Sequence, residues 1–276
     1  MTSSSYPALR SGRLALLGTL LALSLTACGG SGTGGGSTSD SPATSDGSPT
    51  AAGSGTSRTL TVLAAASLTD VFELIADDFE ADHEGVTVEQ SFAASSTIVQ
   101  QVNEGAPGDV IALAGMGSLE PLAQEHRVGE VAKFTTNSLQ LAVPPDNPAD
   151  IDGVEDLGED GVRLVVCEEQ VPCGTATATL FETLGTEPAV SSYEQDVRAT
   201  LTKVELGEAD VGIVYRTDVT EAGDKVLGID IPDDVNVVNT YPILAVSDNA
   251  LAQAFVDEVM SARGQQHLAD AGFVAP

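Results

Sequence analysis

The chain has 276 residues and carries 41 acidic against 11 basic side chains, a formal net charge of −30. That balance excludes binding to a phosphate backbone, so no nucleic-acid partner is expected. Aromatics are 4% with no Trp, too few for a stacking platform, while 42% hydrophobic residues suffice for one or two packed cores.

Arg10 and Arg13 precede an uninterrupted apolar run from Leu14 to Leu25, followed by small residues up to Cys28. The run falls short of the roughly 20 residues of a membrane span, and its charged start, apolar middle and small-residue end read as an export signal over residues 1–27. Leu25-Thr26-Ala27-Cys28 resembles the bacterial lipoprotein processing box, which makes Cys28 the expected first mature residue and lipid carrier. An ordinary signal peptide with an incidental Cys is the plainer alternative. Within residues 28–57, everything after Cys28 is Gly, Ser, Thr, Ala or Pro with two Asp and no large apolar side chain. Such a segment cannot offset its ordering entropy and reads as a flexible tether with a reach of roughly 30 Å. The expected location is extracytoplasmic, held at the cell membrane through the N-terminal lipid alone.

From Arg58 onward, short β-rich runs alternate with amphipathic stretches, the pattern of βα units around mainly parallel sheets. Strands are expected at Leu60–Ala64, Val86–Phe92, Asp109–Ala114, Leu139–Val143, Arg163–Cys167, Asp210–Val214 and Thr240–Val246. Val71, Leu74, Ile75 and Phe79 give helical spacing over Leu68–Asp82. Further helices are expected at Ser96–Glu104, Thr175–Leu184, Val197–Leu206, Asn249–Ala262 and near Gln265–Ala271, the third and fourth of these six closing at Gly185 and Gly207. This much α/β pattern exceeds one small sheet. Two lobes are expected, the first from residues 58–137 and 241–276 and the second from 138–240, with crossings at Thr136–Ser138 and Asn239–Tyr241.

Four places share one local design, in which a strand ends, a short polar or Gly-containing turn follows and a helix begins. They are Ala64–Asp70, Phe92–Thr97, Val171–Thr175 and Gln195–Arg198. Each helix start offers unpaired N–H groups and about half a positive charge, so each suits an anion. Taken singly, Ser67, Ser95 and Asp196 read as ordinary N-caps.

Taken together, Ala64–Thr69, Phe92–Thr97, Gly105–Asp109, Asn137–Leu139, Val171–Gly174, Asp196–Arg198 and Gly212–Tyr215 occur in an order that closely resembles the periplasmic molybdate-binding proteins of ABC-type importers. The resemblance runs from Thr59 to Pro276. It implies a type II periplasmic-binding fold: two α/β lobes joined by a two-strand hinge and closing on a dehydrated tetrahedral oxyanion. It also implies the ligand set: the hydroxyl and backbone N–H of Ser67 and of Ser95 from one lobe, and the backbone N–H of Cys173 and Val197 with the Tyr215 phenol from the other. The implied partners are molybdate or tungstate and a membrane permease with its cytoplasmic ATPase. The implied protein is a monomeric receptor, with no cofactor, no metal cation and no enzymatic step. The sequence departs from the pattern at Cys173, where relatives often have Ala, and at Gly115, where they commonly place Asp.

Molybdate and tungstate are fully deprotonated dianions at neutral pH, so a site of hydroxyls and amides satisfies them, whereas a protonated phosphate needs an acceptor. Charge-assisted hydrogen bonds contribute about 1.5–3 kcal/mol each, so no Lys or Arg is required. Remote surface carboxylates are screened beyond a Debye length of about 8 Å. Another tetrahedral oxyanion such as sulfate is an alternative ligand. From a different class, a secreted serine hydrolase using Ser67 or Ser95 is the second alternative, although no base stands at a readable spacing.

Cys167 and Cys173 bracket a short loop. Outside the cytoplasm they read as a disulfide, with a metal pair as the alternative, for which no His stands nearby. His83, His126 and His267 are isolated and read as surface or packing residues.

Overall fold

The computed structural model describes residues 58–276. The export segment, Cys28 and the tether lie outside the described residues. In chain order the elements are β1 (Arg58–Ala65), α1 (Thr69–Asp82), β2 (Val86–Ala93), α2 (Ser95–Asn103), β3 (Val110–Ala112), β4 (Ala132–Val143), β5 (Leu164–Cys167), α3 (Pro172–Leu184), β6 (Val190–Glu194), α4 (Val197–Glu205), β7 (Val211–Tyr215), α5 (Arg216–Ala222), β8 (Leu227–Asp230), β9 (Val238–Ala245), α6 (Ala250–Met260) and α7 (Ala262–Asp270).

The strands run in the order β2-β1-β3-β9-β4-β7-β5-β6, with β8 added alongside β4. The strands of the βα units pair in parallel, β1 with β2 and β3, and β5 with β6 and β7. The long strands β4 and β9 run antiparallel to their neighbours and to each other. They pair through Thr136 with Thr240, Asn137 with Asn239 and Ser138 with Val238, so the two expected crossings lie side by side.

Period-2 alternation distributes the side chains of the first lobe between two layers. Leu60, Val62, Val110, Ala112, Tyr241 and Ile243 face α1, α6 and α7, packing with Phe72, Phe79 and Phe255. The intervening Leu63, Ile111 and Leu244 face α2 and pack on Ile98, Val99 and Val102. The second lobe has its own core around Leu139, Leu141, Val165, Leu180, Leu201 and Ile213.

Several elements depart from the sequence expectations. In α1 the buried residues are Val71, Phe72, Ile75, Ala76 and Phe79, while Leu74 is 51% exposed. At about 100° per residue, Leu74 lies to one side of the arc that Val71, Ile75 and Phe79 share, and Phe72 completes that arc. Strand β4 begins at Ala132, ahead of the expected Leu139, because its first half carries polar residues that pair with β9 rather than an apolar run. Helix α3 begins at Pro172, not Thr175. Proline is favoured at the first helical position, where its missing N–H costs nothing. Strands β6 and β8 and helix α5 were not expected: β6 alternates between half-buried and exposed residues, β8 is four residues long with exposed ends, and α5 has only seven residues.

Candidate functional site

The four strand-to-helix junctions converge. Ser67 follows β1, Ser95 opens α2, Cys173 lies in the first turn of α3 and Val197 opens α4. With Tyr215, the last residue of β7, all five line one cavity, whose remaining wall includes Ala65, Ala66, Ala94, Ala114 and Pro172. The centre of a water-sized sphere can move through about 20 Å³ there. Adding ~1.4 Å for the sphere itself places the walls ~3 Å from the middle, room for one small polyatomic ion. All five residues are buried, from 1% exposed at Ser95 and Tyr215 to 6% at Ser67, so little of the lining they contribute meets bulk water.

The small side chains have a local reason to be there. Alanines at 65, 66, 93, 94 and 114 let backbone approach whatever the cavity holds. Gly174 fits where nothing larger can: a Cβ there would lie 1.8 Å from the Glu168 carbonyl oxygen. That close approach packs the first turn of α3 on the loop leaving β5. The same loop is closed by a disulfide between Cys167 and Cys173. The amides of Ser95, Cys173 and Val197 belong to first turns and have no partner within their own helices.

Of the three residues read as possible N-caps, only Asp196 caps its helix, accepting from the Ala199 N–H at 2.8 Å. Ser67 is inside a 3-10 turn, Ala66–Leu68, and its hydroxyl is 3.0 Å from the Tyr241 phenol. Ser95 is the first helical residue of α2, and its Oγ accepts from the Ala114 N–H at 2.9 Å. Both serines are thereby released from capping and face the cavity.

The electrostatics favour donors. Burial, with Tyr241 and Asp218 nearby, pushes the Tyr215 phenol well above its ordinary range, and Tyr241 is raised for the same reason, so both stay protonated. The Asp218 carboxylate lies beneath the site and accepts from the Tyr215 N–H at 2.9 Å. Burial raises its pKa to about 6, opposed by Arg198, whose Nε lies 3.7 Å away, and by that hydrogen bond. Arg198 also pairs with Asp70 of α1. The negative groups near the cavity are therefore each engaged, Asp196 as a cap and Asp218 against Arg198.

The histidines stand elsewhere. His83 stacks on Phe79 and contacts its carbonyl, and His267 pairs with Asp78. Neither they nor His126 line the cavity. Sequence reasoning missed Asn137, Asn239, Tyr241 and Asp218 as residues around the site. For the first three, the antiparallel register of β4 with β9 was the needed signal, and half of β4 was not legible.

With this geometry in view, comparison with known proteins is decisive. The family model described as bacterial extracellular solute-binding protein matches residues 60–274. The chain belongs to that family. The solute-binding protein is 36% identical over 224 residues to the molybdate-binding protein ModA of Mycobacterium tuberculosis, covering 80% of this chain and 86% of that one. It is 34% identical over 212 residues to Escherichia coli ModA, covering 72% and 82%. Among solved structures it is similar to the Azotobacter vinelandii periplasmic molybdate-binding protein, with a TM-score of 0.69 and 20% identity over 79% of this chain and 99% of that one. The fold is of the type II periplasmic-binding kind, two α/β lobes joined by two crossing strands.

Proposed function

We propose that this solute-binding protein is the receptor for molybdate or tungstate of an ABC importer. It takes the oxyanion outside the cytoplasm and passes it to a membrane permease driven by a cytoplasmic ATPase. One observation carries the reading: hydroxyls and first-turn amides from four separate junctions, with a protonated tyrosine, face a single buried cavity of oxyanion size. The names of the relatives supply the ligand. Ser67, Ser95, Cys173, Val197 and Tyr215 are the proposed donors, and no covalent step is involved. Neither serine is paired with a histidine or a carboxylate, which speaks against a nucleophile.

The lobes are assigned as residues 58–137 with 241–276, and 138–240. Donors on both favour the closed state by their differential affinity for the ligand. Cys28 carries the lipid, and the protein acts as a monomer tethered to the membrane.

Calorimetric titration of the purified protein with molybdate, tungstate and sulfate tests the reading. The first two bind and sulfate binds weakly or not at all; uptake of sulfate alone overturns the assignment. Ser67→Ala and Tyr215→Phe each remove a donor to a charged ligand, about 1.5–3 kcal/mol, or roughly ten- to hundredfold in affinity.

A further inference from the structure

Asn137 of β4 and Asn239 of β9 stand directly opposite each other where the two lobe-crossing strands pair. Opposite residues of an antiparallel pair project to the same face, and so do residues two apart on one strand. Tyr241 therefore shares the face of Asn239. Tyr215, opposite Leu139 on the other side of β4, shares the face of Asn137. The register alone brings two asparagines and two tyrosines together behind the cavity.

Their hydrogen bonds run in one direction. The Asn239 Nδ2 donates to the Tyr215 phenol at 2.8 Å and to the Ala114 carbonyl at 2.9 Å. A carbonyl only accepts, so the amide cannot be turned the other way. The Asn137 Oδ1 accepts from the Ser138 N–H at 3.1 Å, which fixes that amide as well. Its Nδ2 donates to Thr217 Oγ1 at 2.7 Å and to the Tyr241 phenol at 3.4 Å.

A hydroxyl that accepts from an N–H keeps its own proton for another partner. Tyr215 accepts from Asn239, which leaves its own proton for a ligand in the cavity or for the neighbouring Tyr241 phenol. Tyr241 accepts from Asn137 at 3.4 Å and lies 3.0 Å from the Ser67 hydroxyl, a pair in which either oxygen can donate; the Asn137 bond biases Tyr241 toward giving its proton to Ser67 and so leaves the Ser67 proton for the cavity. Ser95 accepts from the Ala114 N–H, with the same result. Tyr215 and Ser95 thus each meet a neighbour that cannot accept from them, and Ser67 meets a phenol that Asn137 biases toward donating.

We propose that Asn239 and Asn137 are specificity-determining residues: by orienting the hydroxyl protons of Tyr215 and Ser67 toward the ligand, they make the cavity reject an oxyanion that still carries a proton. The proposal rests on the oxyanion-receptor reading and adds to it the residues that set its selectivity. They act through Tyr215 and Ser67 and are positioning residues, not ligands.

The test is a double-mutant cycle on the full protein. Wild type, N239A, Y215F and N239A/Y215F are titrated calorimetrically at pH 7.5 with molybdate and with hydrogenarsenate, a dianion that keeps one O–H. Wild type binds molybdate and discriminates against hydrogenarsenate. N239A weakens molybdate binding about tenfold and narrows the discrimination, because the Tyr215 hydroxyl is then free to turn and accept. In the Y215F background N239A has less than about a twofold effect, since the hydroxyl it acts through is gone. If N239A does not fold, N239D keeps the shape, and its carboxylate cannot donate to Tyr215. Equal losses in both backgrounds, with wild-type molybdate binding intact, overturn the proposal and leave the receptor reading standing. A wild type that binds hydrogenarsenate as well as molybdate overturns the selectivity claim. A wild type that takes up neither removes the receptor reading and the proposal with it.

Discussion

Arg198, the second residue of α4, forms an ion pair with Asp70 in the first turn of α1. The two helices pack into different hydrophobic cores, and on the lobe division proposed above this contact exists only while the lobes are together. Both side chains are partly exposed, 29% and 41%, and an ion pair of that kind contributes ~0.2–1 kcal/mol.

The first prediction follows from that position. Asp70→Asn favours the open form and weakens oxyanion binding by about two- to fivefold, with the change in the dissociation rate. The ligand-free melting temperature moves little, because neither core is touched. At about 1 M salt, where the Debye length is ~3 Å, wild type and variant converge. Calorimetry at low and high salt, with displacement kinetics, measures all three; a salt-independent difference rules out the latch.

Asp218 carries a pH signature. Its folded-state pKa of about 6 exceeds the ordinary 3.8 because burial disfavours the charge more than Arg198 and the Tyr215 N–H favour it. Between those values the folded protein holds a proton that the unfolded chain has released. This group therefore costs no stability below about pH 4, and its penalty grows as pH rises through 6. Asp218→Asn retains an acceptor for the Tyr215 N–H and removes the buried charge. The variant melts higher than wild type at pH 7.5, and the gap closes toward pH 4.5. Thermal unfolding across that range checks the sign; a variant that is less stable at pH 7.5 shows that the Arg198 pairing outweighs the desolvation.

Much of this arrangement was legible in the sequence, and the rest was hidden for identifiable reasons. The junctions at Ser67, Ser95, Cys173 and Val197 were visible because each sets a turn of small or polar residues ahead of a helical stretch, although the strand before Val197, Val190–Glu194, is no apolar run and was itself not expected. Their convergence was not, since no local pattern states which junctions meet. The first half of β4 escaped notice because Thr135, Thr136 and Asn137 are polar residues buried or half-buried by tertiary structure. With that half missing, the pairing of Asn137 with Asn239 could not be drawn. Ser67 and Ser95 matched the composition of caps, yet the helices take Ala65 and Ala94 as their preceding residues, which frees the hydroxyls for Tyr241 and Ala114.

The Cys167–Cys173 bridge closes a six-residue separation between the end of β5 and the first turn of α3. A loop this short gives about 2 kcal/mol of stabilisation on the chain-entropy model. The bridge also holds the turn that presents the Cys173 amide, already constrained by Gly174 against Glu168. The Cys167→Ser/Cys173→Ser double variant therefore lowers both the melting temperature and oxyanion affinity, with the affinity loss persisting at temperatures where the variant is fully folded. Calorimetry well below the transition separates the two effects. An unchanged affinity there means the bridge serves stability alone.

Gly115 is where the expected aspartate is missing, and the structure states what the site tolerates. Its φ of 174° is extended backbone open to any residue. A Cβ would find its nearest neighbours, Asn239 Nδ2, Pro172 Cβ and Ser118 Oγ, all at 3.9 Å. Gly115→Asp therefore folds with a melting temperature close to wild type. Its carboxylate enters the groove lined by Ser96, Pro172 and Asn239, next to the junctions that form the cavity. There it has the Asn239 amide as a neighbour, whose protons are already given to Tyr215 and Ala114. Drawing that amide away from Tyr215 loosens the phenol, so molybdate affinity falls while stability does not. Paired thermal and calorimetric measurements test this split. A variant that binds as wild type does shows that the Asn239 hydrogen bonds hold against a competing acceptor.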